Sequence, residues 1–209
     1  MTKSALDLYH KFFSEREFER LDLFQLLAER YAVQRVLYPG SFVHITPSFV
    51  FPDVVYVDTD RRAKKFFASP EVREYIEEHK RYPQPANFSF HPIDYRDGLE
   101  EIEPGFDLLI SQYAGFIGQY CKHHLKAGGC LLANNSHGDA GVAALDPEYQ
   151  LAEVAHKRNG KYRLSESNLD QYFVPKSTKR ELTKEYLMDL QKGVGYTNTA
   201  SNYIFRKVQ

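Results

Sequence analysis

Short apolar runs in this chain end on residues that could contact a ligand. The run RVLYPG closes on Tyr38, Pro39, Gly40 and Ser41, and DVVYVDTD closes on Val57, Asp58, Thr59 and Asp60. Glycine allows a tight turn and close approach of backbone to a ligand, and Ser41 adds a hydroxyl and an amide. A carboxylate eighteen residues after Gly40 (58 minus 40) stands where dinucleotide-type folds place the acid that accepts two hydrogen bonds from a ribose diol. The spacing therefore points to a nucleoside ligand. Two plainer readings stand beside it: Gly40 as a strand-ending turn, and Asp58 or Asp60 as the cap of a helix over RRAKKFF, one acid doing each job.

Three later runs end in the same manner. NFSFHPIDYRD delivers Asp94 and Tyr95, a carboxylate for an exocyclic amine and an aromatic face for a base; an Asp94–Arg96 pair at a solvated turn is the alternative. FDLLISQY delivers Ser111, Gln112 and Tyr113, and GCLLANN leads into Asn134, Asn135, Ser136, His137 and Asp139. Among these, His137 is the candidate general base, because neutral imidazole accepts protons near physiological pH, with a structural histidine in a polar loop as the other reading. No metal site is expected: His123 and His124 are adjacent and point to different sides of a helix, and His137 with Asp139 is only a pair. Cys121 and Cys130 read as small apolar residues with reduced thiols.

The elements that position these residues follow from periodicity. Phe18, Leu21, Phe24, Leu27 and Tyr31 recur at helical spacing, and Ser14 with Glu17 predicts a capping box that starts this helix after a shorter one at Leu6 to Phe13. From Val33 the apolar runs alternate with amphipathic stretches, one of them capped by Ser69 and Pro70 and another ending at Gly128. That alternation predicts a parallel, doubly wound α/β sheet, in which ligands bind beyond the carboxyl ends of the strands. Near the end, Asn159 and Gly160 predict a hairpin turn, although the run before them also reads as a helix capped by Asp146 and Pro147. TKRELTKEYLMDLQK reads as a helix and NYIFRKV as a terminal antiparallel strand.

Taken in order, these segments resemble the class I S-adenosylmethionine-dependent methyltransferases. FDLLISQYAGFIGQYCKHHLKAGGCLLANN is similar to that family's fourth strand, following helix, Leu-Lys-x-Gly-Gly turn (Leu125, Lys126, Gly128, Gly129) and fifth strand. The resemblance implies a mostly parallel seven-stranded sheet with an antiparallel last strand and, here, an N-terminal helical extension. It implies Asp58 as the ribose acid, Asp94 and Tyr95 near the adenine, and S-adenosylmethionine as cofactor. The first strand departs from the family pattern, because LYPGSFVHITPSF carries Gly40 alone in place of a Gly-x-Gly-x-Gly run. Phe42 and His44 then add side chains where the cofactor's methionine end would pass, while the Ser41 to Ile45 amides offer donors to its carboxylate.

The expected cofactor-binding set is Tyr38, Pro39, Gly40, Ser41, Asp58, Thr59, Asp94, Tyr95, Ser111 and Gln112, with Tyr113 and Asn135 toward the substrate and His137 as base. The expected activity is direct in-line methyl transfer to a small molecule. Its alternative is a non-catalytic module that has lost the cofactor and works through a protein partner. One domain over 1–209 is expected: N-terminal helices over 1–32, a cofactor-type half over 33–135 and a substrate-side half over 136–209. With 27 Lys plus Arg against 28 Asp plus Glu, the net charge of -1 supplies no basic field for nucleic acid or an acidic membrane. The chain has no apolar run of membrane-spanning length, and its start, MTKSALDLYHKFF, lacks a secretory signal, which points to a cytoplasmic protein.

Overall fold

Residues with an unbroken run of apolar side chains can be strands only if both faces are covered, and RVLYP and DVVYV are such runs. In the computed structural model, which describes residues 4–97, 99–177 and 179–208, both form strands with four consecutive buried residues. The chain divides into two compact units, Met1–Gly98 and Leu99–Gln209.

The first unit begins with a helix that changes character. Over α1 (Leu6–Tyr9) it is α-helical, and over His10–Ser14 it widens to π geometry, the N–H groups of Glu15 and Phe18 reaching back to the carbonyls of His10 (2.9 Å) and Phe13 (2.8 Å). Glu17 and Arg20 then adopt left-handed conformations, each with φ +55°. The next helix, α2, therefore starts at Leu21 and runs Leu21–Tyr31, burying Leu23, Phe24 and Leu27. The Ser14–Glu17 capping box expected from sequence does not form, because Ser14 closes the π turn and Glu17 is out of helical geometry.

Strand β1 (Arg35–Pro39) pairs in parallel with β2 (Asp53–Val57), which pairs in parallel with β3 (Asn87–His91), giving the order β3-β2-β1. Between β2 and β3 lie α3 (Arg61–Phe67) and α4 (Pro70–His79). Asp60 caps α3 by accepting the Arg62 N–H at 2.7 Å. Ser69 stands at the N-cap of α4 with extended backbone but makes no side-chain cap bond, and Pro70 supplies the preorganised first turn. Replacing Asp60 by alanine should cost about 1 kcal/mol. The check is the urea midpoint of unfolding; a change of only a few tenths of that value would remove Asp60 from the capping role.

In the second unit β4 (Phe106–Ser111) pairs in parallel with β5 (Leu125–Ala133), joined by the short helix α5 (Ile117–Tyr120) and a 3-10 turn over Lys122–His124. The helix expected to reach Gly128 is cut short, because Leu125 to Gly129 already belong to the strand, absorbed by a bulge opposite Phe106 and Leu108. Helix α6 (Asp139–Ala144) follows, then β6 (Tyr149–Arg158) and β7 (Lys161–Ser165), a hairpin whose Asn159 and Gly160 both have positive φ. The run before Asn159 is thus strand, not helix. Helix α7 (Lys184–Leu190) is capped by Thr183, and β8 (Asn202–Lys207) inserts antiparallel between β5 and β6, giving β4-β5-β8-β6-β7. The expected α/β pattern of parallel strands with an antiparallel last strand holds. The described residues contain eight strands where seven were expected, the addition being the outer arm of the hairpin.

Candidate functional site

Gly40 ends β1 with φ +64° and donates its N–H to the carbonyl of Val57 at 2.7 Å, which joins the C-terminal ends of β1 and β2. The left-handed turn requires a residue without a Cβ penalty, and glycine meets it. Asp58 follows directly on β2. Its Oδ2 accepts the Phe42 N–H at 2.7 Å and its Oδ1 accepts the Asp60 N–H at 2.8 Å. A carboxylate has about four acceptor directions, so one remains on each oxygen.

Gly40, Asp58, Thr59, Ile93, Asp94, Tyr95 and Arg96 line a hollow of about 320 Å³, at the lower end of small-molecule pockets. Five of the expected cofactor residues thus meet in one place. Arg96 grips Asp94 with Nε at 3.0 Å and Nη2 at 2.6 Å, and this pairing holds the Asp94 carboxyl below its ordinary range. Asp94 is therefore both a wall of the hollow and half of an ion pair. Ile93 and Arg96 were not singled out as ligands from sequence; the Asp-x-Arg spacing, which also lets Asp94 accept the Arg96 N–H at 2.9 Å, is the signal that marks this turn.

Phe42 does not line the hollow. Its ring lies edge-on to Phe12 at 5.2 Å and beneath the Arg62 guanidinium at 4.8 Å. Its backbone is left-handed, φ +48°, an unusual state for a bulky residue that the bond to Asp58 helps to hold.

Tyr38, Pro39 and Ser41 of the expected set are buried, and none lines the hollow. The Tyr38 hydroxyl is bonded to His44 Nδ1 at 3.0 Å, and the other ring nitrogen of His44 donates to the Glu19 carbonyl at 3.1 Å. A carbonyl only accepts, so His44 is neutral with its proton on Nε2 and takes the tyrosine proton at Nδ1. Phe13 stacks flat on the same ring at 4.2 Å. Burial, followed by the nearby Arg20 charge, lowers the His44 pKa to about 3. The loop after β1 is thus packed beneath the N-terminal helices. Its Gly40 and Ser41 N–H groups point to Val57, Phe42 to Asp58 and His44 to Ser41, so these four do not serve as donors to a ligand carboxylate.

In the second unit, Ser111 and Gln112 of the expected set are buried as well. Ser111 donates to Asp139 Oδ2 at 2.5 Å, and Gln112 donates to Asn202 at 2.9 Å and accepts from Asn134 at 3.2 Å, all buried. Asn135 is tied to the Gly141 N–H (3.3 Å) and the Val194 carbonyl (3.4 Å). By contrast Tyr113 is 57% exposed with φ +61°, a strained and accessible aromatic at the end of β4. His137 is half-buried in the turn that leads into α6.

Asp139 carries chemistry that the sequence reading did not assign. It is fully buried, accepts Ser111 and the Gly118 N–H (2.9 Å) on one oxygen, and has no hydrogen-bond partner among the described residues on the other. Burial pushes its carboxyl up to about 6, against the opposing pull of those two bonds. Both cysteines are buried and neither is in a disulfide, burial pushing the Cys130 thiol up to about 11. Among the described residues no group of three or more His, Cys, Asp or Glu could hold a metal, and no helix is long and apolar enough to cross a membrane.

No family model and no curated protein matches the chain in sequence. Solved structures do match in shape. An O-methyltransferase from Bacillus cereus in complex with SAH superposes with a TM-score of 0.52 at 13% identity, over 78% of this chain and 89% of that one. A methyltransferase from Geobacter sulfurreducens gives 0.51 at 14% identity, over 74% and 86%. The chain has the Rossmann-like methyltransferase fold. Within that fold the Asp58 hollow sits at the C-terminal ends of β1, β2 and β3, where open α/β sheets bind their ligands. The methyltransferase fold is shared at an identity too low to carry residue roles across, so those roles rest on the geometry above.

Proposed function

We propose that this chain is an S-adenosylmethionine-dependent methyltransferase that acts on a small molecule by direct in-line methyl transfer, with residues 1–209 working as one domain. The observation that carries this reading is the Asp58 carboxylate, held by one backbone N–H on each oxygen and facing a hollow with Gly40, Thr59 and Tyr95. Its two remaining acceptor directions suit the vicinal hydroxyls of a ribose, and Tyr95 offers an aromatic face to a base. The residues present fit the nucleoside end of the cofactor. Its amino-acid end is not held by the Gly40, Ser41, Phe42 and His44 amides, which are committed within the first unit.

When bound, S-adenosylmethionine supplies an electrophilic methyl group that needs no covalent nucleophile from the protein. This chain's own residues bind and orient: Asp58 and Thr59 at the ribose, Asp94 and Tyr95 at the base, and Tyr113 toward the acceptor. A hydroxyl or protonated-amine acceptor must lose a proton, and His137 is the group that takes it. Replacing His137 by glutamine should lower turnover by about 100-fold while leaving S-adenosylhomocysteine affinity unchanged. Unaltered turnover across a panel of phenolic and amine acceptors would remove His137 from the mechanism. The direct test of the whole reading is calorimetry of the full chain with S-adenosylhomocysteine. Saturable binding supports it, and no heat at millimolar ligand overturns it.

A further inference from the structure

The second unit contains a cavity that the methyl-transfer reading does not use. Helix α6 borders an open hollow of about 480 Å³, walled by Leu145, Phe173, Leu182 and the ring of Tyr196, with Arg180 at its border. An adjoining hollow of about 300 Å³ shares Arg180 and Leu182 with it and adds Lys176 and Lys179. Among the described residues lining the two, these three bases face a single acid, Glu181. An apolar chamber with a basic border selects for an apolar body carrying negative charge.

Tyr196 makes the chamber more than a greasy dent. It is only 2% exposed, its ring is fixed edge-on to Phe173 at 5.0 Å, and it lines the hollow. Burial pushes the phenol up to about 12, so at neutral pH the hydroxyl stays protonated and can donate. Room for that hydroxyl depends on Gly141, where a Cβ would stand 2.5 Å from the phenolic oxygen. A ligand oxygen in the hollow can accept from the Tyr196 hydroxyl.

We propose that this cavity binds an aryl or acyl carboxylate, its ring or chain lying among Leu145, Phe173, Leu182 and Tyr196 and its carboxylate accepting from the Tyr196 hydroxyl and the Arg180 guanidinium. One phenol and one guanidinium match a monoanion with two oxygens. The proposal stands apart from the methyltransferase reading, because none of its residues lines the Asp58 hollow.

The test is titration of the full chain, without any nucleoside, with 4-phenylbutyrate and octanoate, and with the matching neutral alcohols. Both carboxylates should saturate, and the alcohols should bind about tenfold more weakly. Tyr196→Phe, which keeps the ring and its packing, should weaken carboxylate binding about tenfold without lowering the melting temperature, and Arg180→Gln should do so by a similar factor. Alcohols that bind as well as acids would overturn the proposal, as would variants that bind like the parent or an absence of saturation at millimolar carboxylate. Because the assay contains no nucleoside, its failure and the failure of S-adenosylhomocysteine binding are separate results.

Discussion

Asp58→Ala should weaken S-adenosylhomocysteine binding by about 100-fold, because two charge-assisted hydrogen bonds to a ribose are each worth roughly 1.5–3 kcal/mol and some is returned by water. The carboxylate also accepts the Phe42 and Asp60 N–H groups, so its loss frees the left-handed turn at Phe42. A second variant separates these effects. Asp58→Asn keeps one oxygen acceptor for the turn but replaces the other with a donor, so it should preserve most of the melting temperature while still losing at least tenfold in affinity. If both variants keep parental affinity, the hollow at Gly40, Thr59 and Tyr95 does not hold the ribose, and the Asp58 assignment fails. If the parent itself does not bind, what remains is a shared scaffold.

The second large effect concerns acid, and two buried groups act with opposite signs. His44 is depressed from 6.5 to about 3, so the unfolded chain binds a proton there before the native state does. Stability from this group is present above the unfolded pKa and declines as pH falls, by about 3 kcal/mol between pH 7 and 4.5. Asp139 is raised from 3.8 to about 6, so the native state takes its proton first. Its contribution is fully present below the unfolded pKa and is lost as pH rises through 6, which amounts to a gain of about 2 kcal/mol on going from pH 7 down to 4.5.

The net acid dependence of the parent should therefore be shallow, and each variant should expose the other group. Asp139→Asn removes the gain and should steepen the acid loss. His44→Gln retains a donor for the Glu19 carbonyl and an acceptor for the Tyr38 hydroxyl; it should be less stable at pH 7 yet become more stable toward pH 4.5. Urea unfolding across this range, followed by circular dichroism, reads both. A His44→Gln protein whose stability still falls with acid as the parent's does would show that the buried histidine does not set the acid loss.

Several features of the fold were legible because they depend on neighbours in sequence. The runs RVLYP and DVVYV are apolar without interruption, as parallel strands covered on both faces must be, and both are strands. Asn159 and Gly160 announce a turn through backbone angles that few other residues accept, and the hairpin forms there. The helix start expected at Ser14 failed for a local reason of another kind: a π turn extends the first helix through that residue, and nothing in a 3.6-residue period reveals it.

The fate of the polar residues after each strand was not legible. Tyr38, Ser41, Ser111 and Gln112 have the right chemistry and position for ligands, but their side chains are buried, most of them bonded within the protein. Gln112 bonds Asn202, ninety residues away, and Ser111 bonds Asp139, twenty-eight residues away. Spacing within one strand end carries no information about partners brought in by β8 or α6. The same is true of Asp139, whose raised carboxyl depends on complete burial rather than on any sequence signal.

By itself, then, the order of residues determined the alternation of strands and helices, the glycine turn at residue 40 and the acid that follows the second strand, because each is set by short-range backbone preference and side-chain periodicity. Only the tertiary structure decided which polar side chains remain available. That choice depends on long-range packing, which buries the loop after β1 beneath Tyr9, Phe13 and Phe24 and leaves Asp58, Thr59 and Tyr95 on the open side of the turn.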